Sequence, residues 1–510
     1  MSLARAYGVV IQGVEAHVVE IEAHLSSGLP SMGIVGLPDT AVGEARDRVR
    51  AAIQNSGARW PQQRITVGLS PASLHKRGSG LDLGIATAIL AADRQIPVDS
   101  GTDAILFGEL GLDGRVRPVP GAVMAAVAAR RGGRGRIVVA SPHAGQAGIV
   151  PGIEAVGVVS LQHWGAMLTG ADCSGFAAVD PLEQPQPCSA APLDLSDVRG
   201  QAEAIAALEV AAVGGHHVAM VGRPGVGKTL LAERLPTILP DLTDDDALEV
   251  TAIQSVVRPI DGLVRRPPFQ APHHTATVAA LVGGGRSGQP TAGAVTLAHG
   301  GVLFLDEAAE FQSAALEALR QPLEAGIVRI ARAGFSATLP SRFQLVMAAN
   351  PCPCGLGDGT GEACRCSSVD RRRYLGRLSG PLMDRVDLRL AIGAPVGGAW
   401  SASPSADSAS VRAAVEAARA RSRERTRRLG LGERLASTYS SPLLRRALAP
   451  EAAAGELLAD AVRTGRLSAR GADRVARVAW SITDLEGGRR PGIEQVGRAM
   501  ALRGTSFAER

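Results

Sequence analysis

The sequence predicts an α/β protein of about three domains, and three observations carry that expectation. Residues 6 to 170 alternate short β-like runs (RITVGL, AILFGEL, GRIVVAS) with helical ones (AVGEARDRVRAAIQNSG, DLGIATAILAAD, GAVMAAVAARR). Residues 197 to 395 repeat the alternation around a glycine-rich loop, with apolar runs HVAMVG, GVLFLDE and FQLVMAAN, the pattern of a mostly parallel sheet covered on both faces. After the Gly/Ser/Pro/Ala-rich stretch 393 to 410 the text is helical and rich in Ala and Arg. The expected organisation is an α/β domain over 1–170, a linker over 171–195, a second α/β core over 196–395 and a helical domain over 396–510. The linker holds four prolines and no periodicity.

Composition bounds the function. The 510 residues carry 54 Lys+Arg against 49 Asp+Glu; only Lys76 and Lys228 are lysines, so the other 52 are arginines. A chain that has exchanged nearly all its lysines retains one where a compact ammonium is chemically required. At 45% hydrophobic and 20% charged the chain is an ordinary folded one, and disorder is excluded as a whole-chain description. No apolar stretch reaches the roughly 20 residues of a bilayer span. Glu15, Glu20 and Glu22 stand where a signal peptide would need its apolar core, so no membrane partner and a cytoplasmic address are expected. Of six cysteines, four lie within fifteen residues, which in a reducing compartment points to metal before disulfide.

The loop Gly222, Arg223, Pro224, Gly225, Val226, Gly227, Lys228, Thr229 satisfies G-x-x-x-x-G-K-[ST], follows an apolar strand and opens a helix. Such glycines turn successive backbone N–H groups toward phosphate oxygens, and the helix start adds its positive end. Lys228 is expected at the β and γ phosphates of a bound ATP and Thr229 at Mg²⁺. GVLFL then ends in Asp306 and Glu307, the first expected beside Mg²⁺ and the second as the base for attacking water. The third strand ends at Asn350, a polar side chain expected to position that water.

FQAPHHTATVAALVGGG, TLAHGGVLFLDEAAEF, LEALRQPLEAG, MAANPCPCG and YLGRLSGPLMDRVDL resemble, in order and over nearly the whole chain, the ComM/YifB group of magnesium-chelatase-like AAA+ ATPases. The resemblance implies an AAA+ P-loop core with a helical lid, assembled as a ring, usually a hexamer. It implies that Arg385 reaches the γ-phosphate bound by the next subunit and that Arg477 is a second sensor, with Arg470 and Arg474 as the alternatives on that helix. His273 and His274 form the family's PHH motif. KRGSGLDLGIATAIL and the following LFGELGLDGRVRPVPGAVMAAVAARR resemble the proteolytic domain of Lon, but Gly80 falls at the nucleophile position and Ala125 at the catalytic lysine position. The amino-terminal domain is therefore expected to be catalytically inactive, although Ser79 lies next door. Lys76 in that motif is either a phosphate contact or a solvated loop lysine.

Cys352, Cys354, Cys364 and Cys366 form two C-x-C pairs nine residues apart. They are either a tetrahedral Zn²⁺ site, in spacing looser than the usual C-x-x-C, or reduced thiols on a glycine-rich loop. The segment between Leu323 and Phe343 reads as a hairpin, either pore-facing with Arg329 and Arg332 on a phosphate backbone or purely structural. Arginine clusters at 419–428 and 371–377 either track a phosphate backbone or form solvated helix faces. With only 3% aromatic residues, stacking along a single strand suits the chain less well than gripping branched or duplex DNA. The family resemblance implies an ATP-driven DNA motor, a helicase or branch-migration enzyme, acting on incoming DNA during natural transformation. The rivals are a magnesium-chelatase-type motor subunit and a protein-remodelling ATPase that does not act on DNA.

Overall fold

The computed structural model describes residues 2–36, 40–76, 78–176, 193–258, 260, 262–286, 289–332, 335–357, 364–378, 380–394 and 405–504, with backbone alone at 40–42, 286, 289, 332 and 335. Most of the expected linker, 177–192, lies outside the described residues. The chain divides into two compact units: Met1–Cys188 with Thr243–Val264, and Ser189–Leu242 with Arg265–Arg510. No helix among the described residues is long and apolar enough to cross a membrane.

The first unit is built on a seven-stranded sheet of β1 (Ser2–Gln12), β2 (Glu15–Ser26), β3 (Ser31–Val35), β4 (Arg64–Ser70), β5 (Gly101–Phe107), β6 (Arg136–Ala140) and β7 (Glu154–Val158). The order is β3-β4-β2-β1-β5-β6-β7. Strand β4 buries alternate residues, as a strand with one face in the core must, and pairs antiparallel with β2. The helix Asp82–Ala92 is buried at every residue and packs on β1, β2 and β5. A second helix in this unit, Asp244–Gln254, comes from within the stretch 196–395. Thr243 caps it by accepting from the Asp246 amide, three aspartates in its first turn suit the positive helix end, and Leu248 and Ala252 join the core around Val123 and Ala126.

The second unit holds a five-stranded sheet of β8 (Val218–Gly222), β9 (Phe269–Gln270), β10 (Val302–Leu305), β11 (Gln344–Ala349) and β12 (Leu388–Ile392), ordered β9-β10-β11-β8-β12. Every pairing in it is parallel. Strands β10 and β11 are buried at every residue, which is how the sequence VLFL and QLVMAA reads when both faces are covered. The expected hairpin forms from Ile327–Arg332 and Phe335–Pro340, paired antiparallel. Its Arg329 is exposed, while the side chain of Arg332 lies outside the described residues.

The helical segment has no core of its own. Val415 of the helix Ser408–Arg428 and Trp480 of the helix Ala469–Glu486 share one apolar cluster with Val218, Met220 and Leu390 of the sheet. Five of the six arginines of 419–428 divide accordingly. Arg419 donates to the Ala212 carbonyl (2.6 Å), Arg421 to the Asp484 carbonyl (2.6 Å), and Arg425 to the Asp484 carboxylate (2.7 Å) and the Tyr439 hydroxyl (3.0 Å) while its guanidinium stacks over Trp480. Arg419 and Arg425 are internal braces, because a donor-rich side chain that enters the interior seeks its partners there, whereas Arg421 ties the helix to the Asp484 carbonyl from an exposed position. Arg427 and Arg428 remain exposed and pair with Glu424.

Candidate functional site

The loop after β8 leads directly into the helix Lys228–Ile238, as its sequence requires. Gly225 and Gly227 adopt φ of 78° and 92°, a left-handed backbone that side chains with a Cβ rarely accept, so this loop conformation needs glycine at both. Lys228 is 8% exposed. Its Nζ donates to the carbonyls of Gly222 (2.7 Å) and Arg223 (2.9 Å) and to Asn350 Oδ1 (3.2 Å). Burial lowers its pKa, while the charges of Asp306 and Glu307 oppose the shift.

The acidic pair sits where the sequence puts it, at the end of β10. Thr229 Oγ1 donates to Asp306 Oδ2 at 2.8 Å, so the two groups expected to share Mg²⁺ are already in contact. A hydroxyl and a carboxylate side by side are a hard-oxygen donor set of the kind Mg²⁺ takes, leaving room for phosphate and water, and the fit is good. Glu307 has φ of 50°, a left-handed conformation in a residue with a side chain, and its amide donates to Asp306 Oδ1 (2.9 Å). Such backbone strain is concentrated at sites where a side chain must be aimed.

One partner of Glu307, and a buried hydroxyl near it, are not legible as such in the sequence. His274 places Nδ1 3.2 Å from Glu307 Oε2, and its ring lies 4.1 Å from that of His273. Tyr374, buried on the helix Ser368–Leu375, has its hydroxyl pushed up to about 12 by burial, with the charges of Glu310 and Glu307 adding to the effect. The PHH motif is the available signal for His274; Tyr374 opens the family-like stretch YLGRLSGPLMDRVDL, which carries no sign of its burial.

Arg385 follows the short helix Gly380–Met383. Its guanidinium pairs with Glu324 and donates to the Pro381 carbonyl. Burial lowers its pKa, and the positive charges of Arg320, Arg474 and Arg470 push the same way. Arg474 donates to the Arg385 carbonyl (3.1 Å) and to Asp387 (2.6 Å), whose other oxygen meets the buried His216 ring at 3.3 Å. Arg477 has a different neighbourhood: its Nε donates to the Tyr439 carbonyl at 2.7 Å. The arginine of that helix that touches the Arg385 segment is thus Arg474.

The four cysteine sulfurs lie within 4.8 Å of one another. Cys352 and Cys354 are 3.3 Å apart, and each is 3.6 Å from Cys364. Zn–S bonds of about 2.3 Å set tetrahedral S···S edges of about 3.8 Å, so the cluster has the size of a mononuclear site. Residues 358–363, which join the two pairs, lie outside the described residues.

In the first unit, Lys76 is neither solvated nor open to a phosphate. It is fully buried and donates to the Pro71 carbonyl, which corrects both readings of its loop. A Cβ on Gly80 would lie 2.6 Å from the Phe107 ring, so the position matching a nucleophile has no room for a side chain. Ala125 is buried in the helix Ala122–Arg131, and Ser79 contacts Glu109.

Comparison with known proteins agrees with this architecture. The profile described as "Magnesium chelatase, subunit ChlI" matches residues 194–397, "Subunit ChlI of Mg-chelatase" matches 21–143, and "Magnesium chelatase, subunit ChlI C-terminal" matches 405–503. An uncharacterized protein of Mycobacterium tuberculosis (strain ATCC 25618 / H37Rv) is 49% identical over 508 residues, 99% of each chain. YifB of Escherichia coli (strain K12) is 40% identical over 95% of this chain and 94% of its own. The competence protein ComM of Haemophilus influenzae is 42% identical over 77% of each. Lon protease 2 of Bacillus subtilis is 32% identical over 157 residues, 28% of this chain and 27% of its own. With an α/β core, a helical carboxy-terminal segment and these relatives along most of its length, the chain belongs to the ComM/YifB family of magnesium-chelatase-like AAA+ ATPases.

Proposed function

We propose that this protein is a cytoplasmic ATP-driven DNA motor, a helicase or branch-migration enzyme that processes incoming DNA during natural transformation. The observation that carries the ATPase half is the meeting of Lys228, Asn350, Thr229 and Asp306 at the strand ends, with Glu307 beside them. The DNA half rests on likeness to a competence protein and on exposed arginines such as Arg329, Arg372, Arg373, Arg427 and Arg428.

In this reading ATP lies along Gly222–Thr229, and the N–H groups of the loop and the Lys228 ammonium neutralise its β and γ phosphates. Thr229 and Asp306 hold Mg²⁺, which supplies charge neutralisation at the phosphates. Asn350 orients the attacking water and Glu307 accepts its proton as the oxygen bonds to the γ-phosphorus; the bond to the ADP oxygen breaks, and inorganic phosphate and ADP leave. Arg385 supplies positive charge to the γ-phosphate bound by a neighbouring copy in a hexameric ring. The Arg385–Glu324 pair is then exchanged for Arg385–phosphate as subunits assemble. The second-sensor role of Arg477 rests on family resemblance and not on this geometry. Zn²⁺ on the four cysteines completes the cofactor set.

The test is ATP turnover by the full-length protein with and without forked DNA, followed by strand displacement. Stimulation of turnover with displacement is expected; an assembled ring that hydrolyses ATP with no response to DNA and displaces no strand would overturn the DNA half.

A further inference from the structure

The cysteine cluster lies against the phosphate loop. Strand β11 ends at Ala349; the next residue, Asn350, accepts from Lys228, and two residues later Cys352 begins the cluster. Cys352 is fully buried and its sulfur accepts the Gly357 amide at 3.2 Å, the kind of N–H···S contact that orients a thiolate. Between these points the chain turns back on the phosphate loop. Arg223 donates to the Leu356 carbonyl at 3.2 Å, and a Cβ on Gly355 would lie 2.8 Å from Pro224 Cγ. Gly355 has φ of 78°, so glycine serves both the turn and the close approach.

We infer that Zn²⁺ bound by Cys352, Cys354, Cys364 and Cys366 clamps the 352–357 turn against Arg223 and Pro224, and thereby holds the phosphate loop and Asn350 in their nucleotide-binding arrangement. The inference rests on the nucleotide and zinc readings above and adds the coupling between them. Four thiolates this close repel one another, and a bound divalent cation offsets that repulsion and holds them ionised. Iron–sulfur clusters place several iron and sulfide atoms between their thiolates and need a wider cage. The metal thus closes a short loop that otherwise has one buried sulfur and a few hydrogen bonds to fix it. The phosphate loop, whose own glycines leave it soft, borrows that rigidity through two contacts.

The experiment measures metal content and nucleotide affinity on the full-length protein. Protein purified without chelator is assayed for zinc by mass spectrometry. Binding of a fluorescent ATP analogue is then titrated before and after zinc removal by a thiol-reactive reagent, and again for Cys354→Ser/Cys366→Ser. Circular dichroism verifies that the fold survives, and Lys228→Ala is the non-binding control. About one equivalent of zinc is expected, with the nucleotide Kd rising about tenfold when zinc is lost. A second variant, Pro224→Ala, should keep its zinc while nucleotide binding weakens by a few-fold. Zinc below about 0.2 equivalents in folded protein would overturn the proposal. Full zinc with affinity unchanged on its removal would refute the clamp while leaving the metal site standing. Failure of intact, zinc-loaded protein to bind nucleotide would refute the nucleotide reading, and the clamp with it.

Discussion

The chain's two lysines sit in environments that look alike and act differently. Lys76 and Lys228 are both buried, both donate to backbone carbonyls and both have pKa values lowered by burial. Around Lys228 the fold collects Asp306, Glu307 and Asn350, and two glycines of the loop, Gly225 and Gly227, adopt positive φ. Around Lys76 no such set has gathered among the described residues: Gly80 is closed by Phe107, and Ala125 is a methyl group in a helix. Burial of an ammonium is therefore no sign of function by itself. What distinguishes a working site is the company of groups that can bind, orient and take protons.

The largest effect is expected at Arg385, the residue proposed to supply charge to a neighbouring copy. Arg385→Ala should lower ATP turnover by about 10³-fold, and mixing it with Lys228→Ala protein should restore part of the loss, because each variant then supplies what the other lacks. Steady-state phosphate release from the two proteins alone and mixed checks this; a fully active Arg385→Ala protein rules the role out. Glu307→Gln should retain nucleotide binding and lose about 10²-fold or more in turnover, since the amide cannot take the proton from water. Near-normal hydrolysis would remove Glu307 from that position.

The smallest effect belongs to Lys76→Met. Turnover should stay within about twofold, and stability should change by less than about 2 kcal/mol. The pH dependence gives the sign. Because burial depresses the folded-state pKa of Lys76, the unfolded chain binds the proton more tightly between that value and the ordinary lysine value of about 10.4. Wild type should then gain stability relative to Lys76→Met as pH rises through this window. Thermal midpoints of the two proteins, measured in parallel at rising pH, test it, and a gap that moves the other way contradicts the buried-lysine assignment.

What the sequence made legible was local in the chain. The phosphate loop, the acidic pair at a strand end and Asn350 are each carried by a few consecutive residues, and the structure brings them together. The paired C-x-C spacing leaves metal binding and free thiols both open, and the fold supplies the close approach of the four sulfurs. The rest depended on contacts between distant segments. Nothing near Arg419, Arg421 or Arg425 states that they brace Ala212 and Asp484, so a run of arginines reads as surface until its partners are known. The helix Asp244–Gln254 has an ordinary cap and no local mark that it belongs to the first unit, where Leu248 and Ala252 complete the core. His274 reaches Glu307 across 33 positions of sequence, a pairing that no periodicity encodes.

The proposed ATPase chemistry belongs to Lys228 and not to Lys76. ATP turnover by wild type, Lys228→Ala and Lys76→Met, side by side at equal folded concentration, tests it most directly. Lys228→Ala should fall to background while Lys76→Met matches wild type; turnover surviving in the first, or lost in the second with its fold intact, would contradict the account.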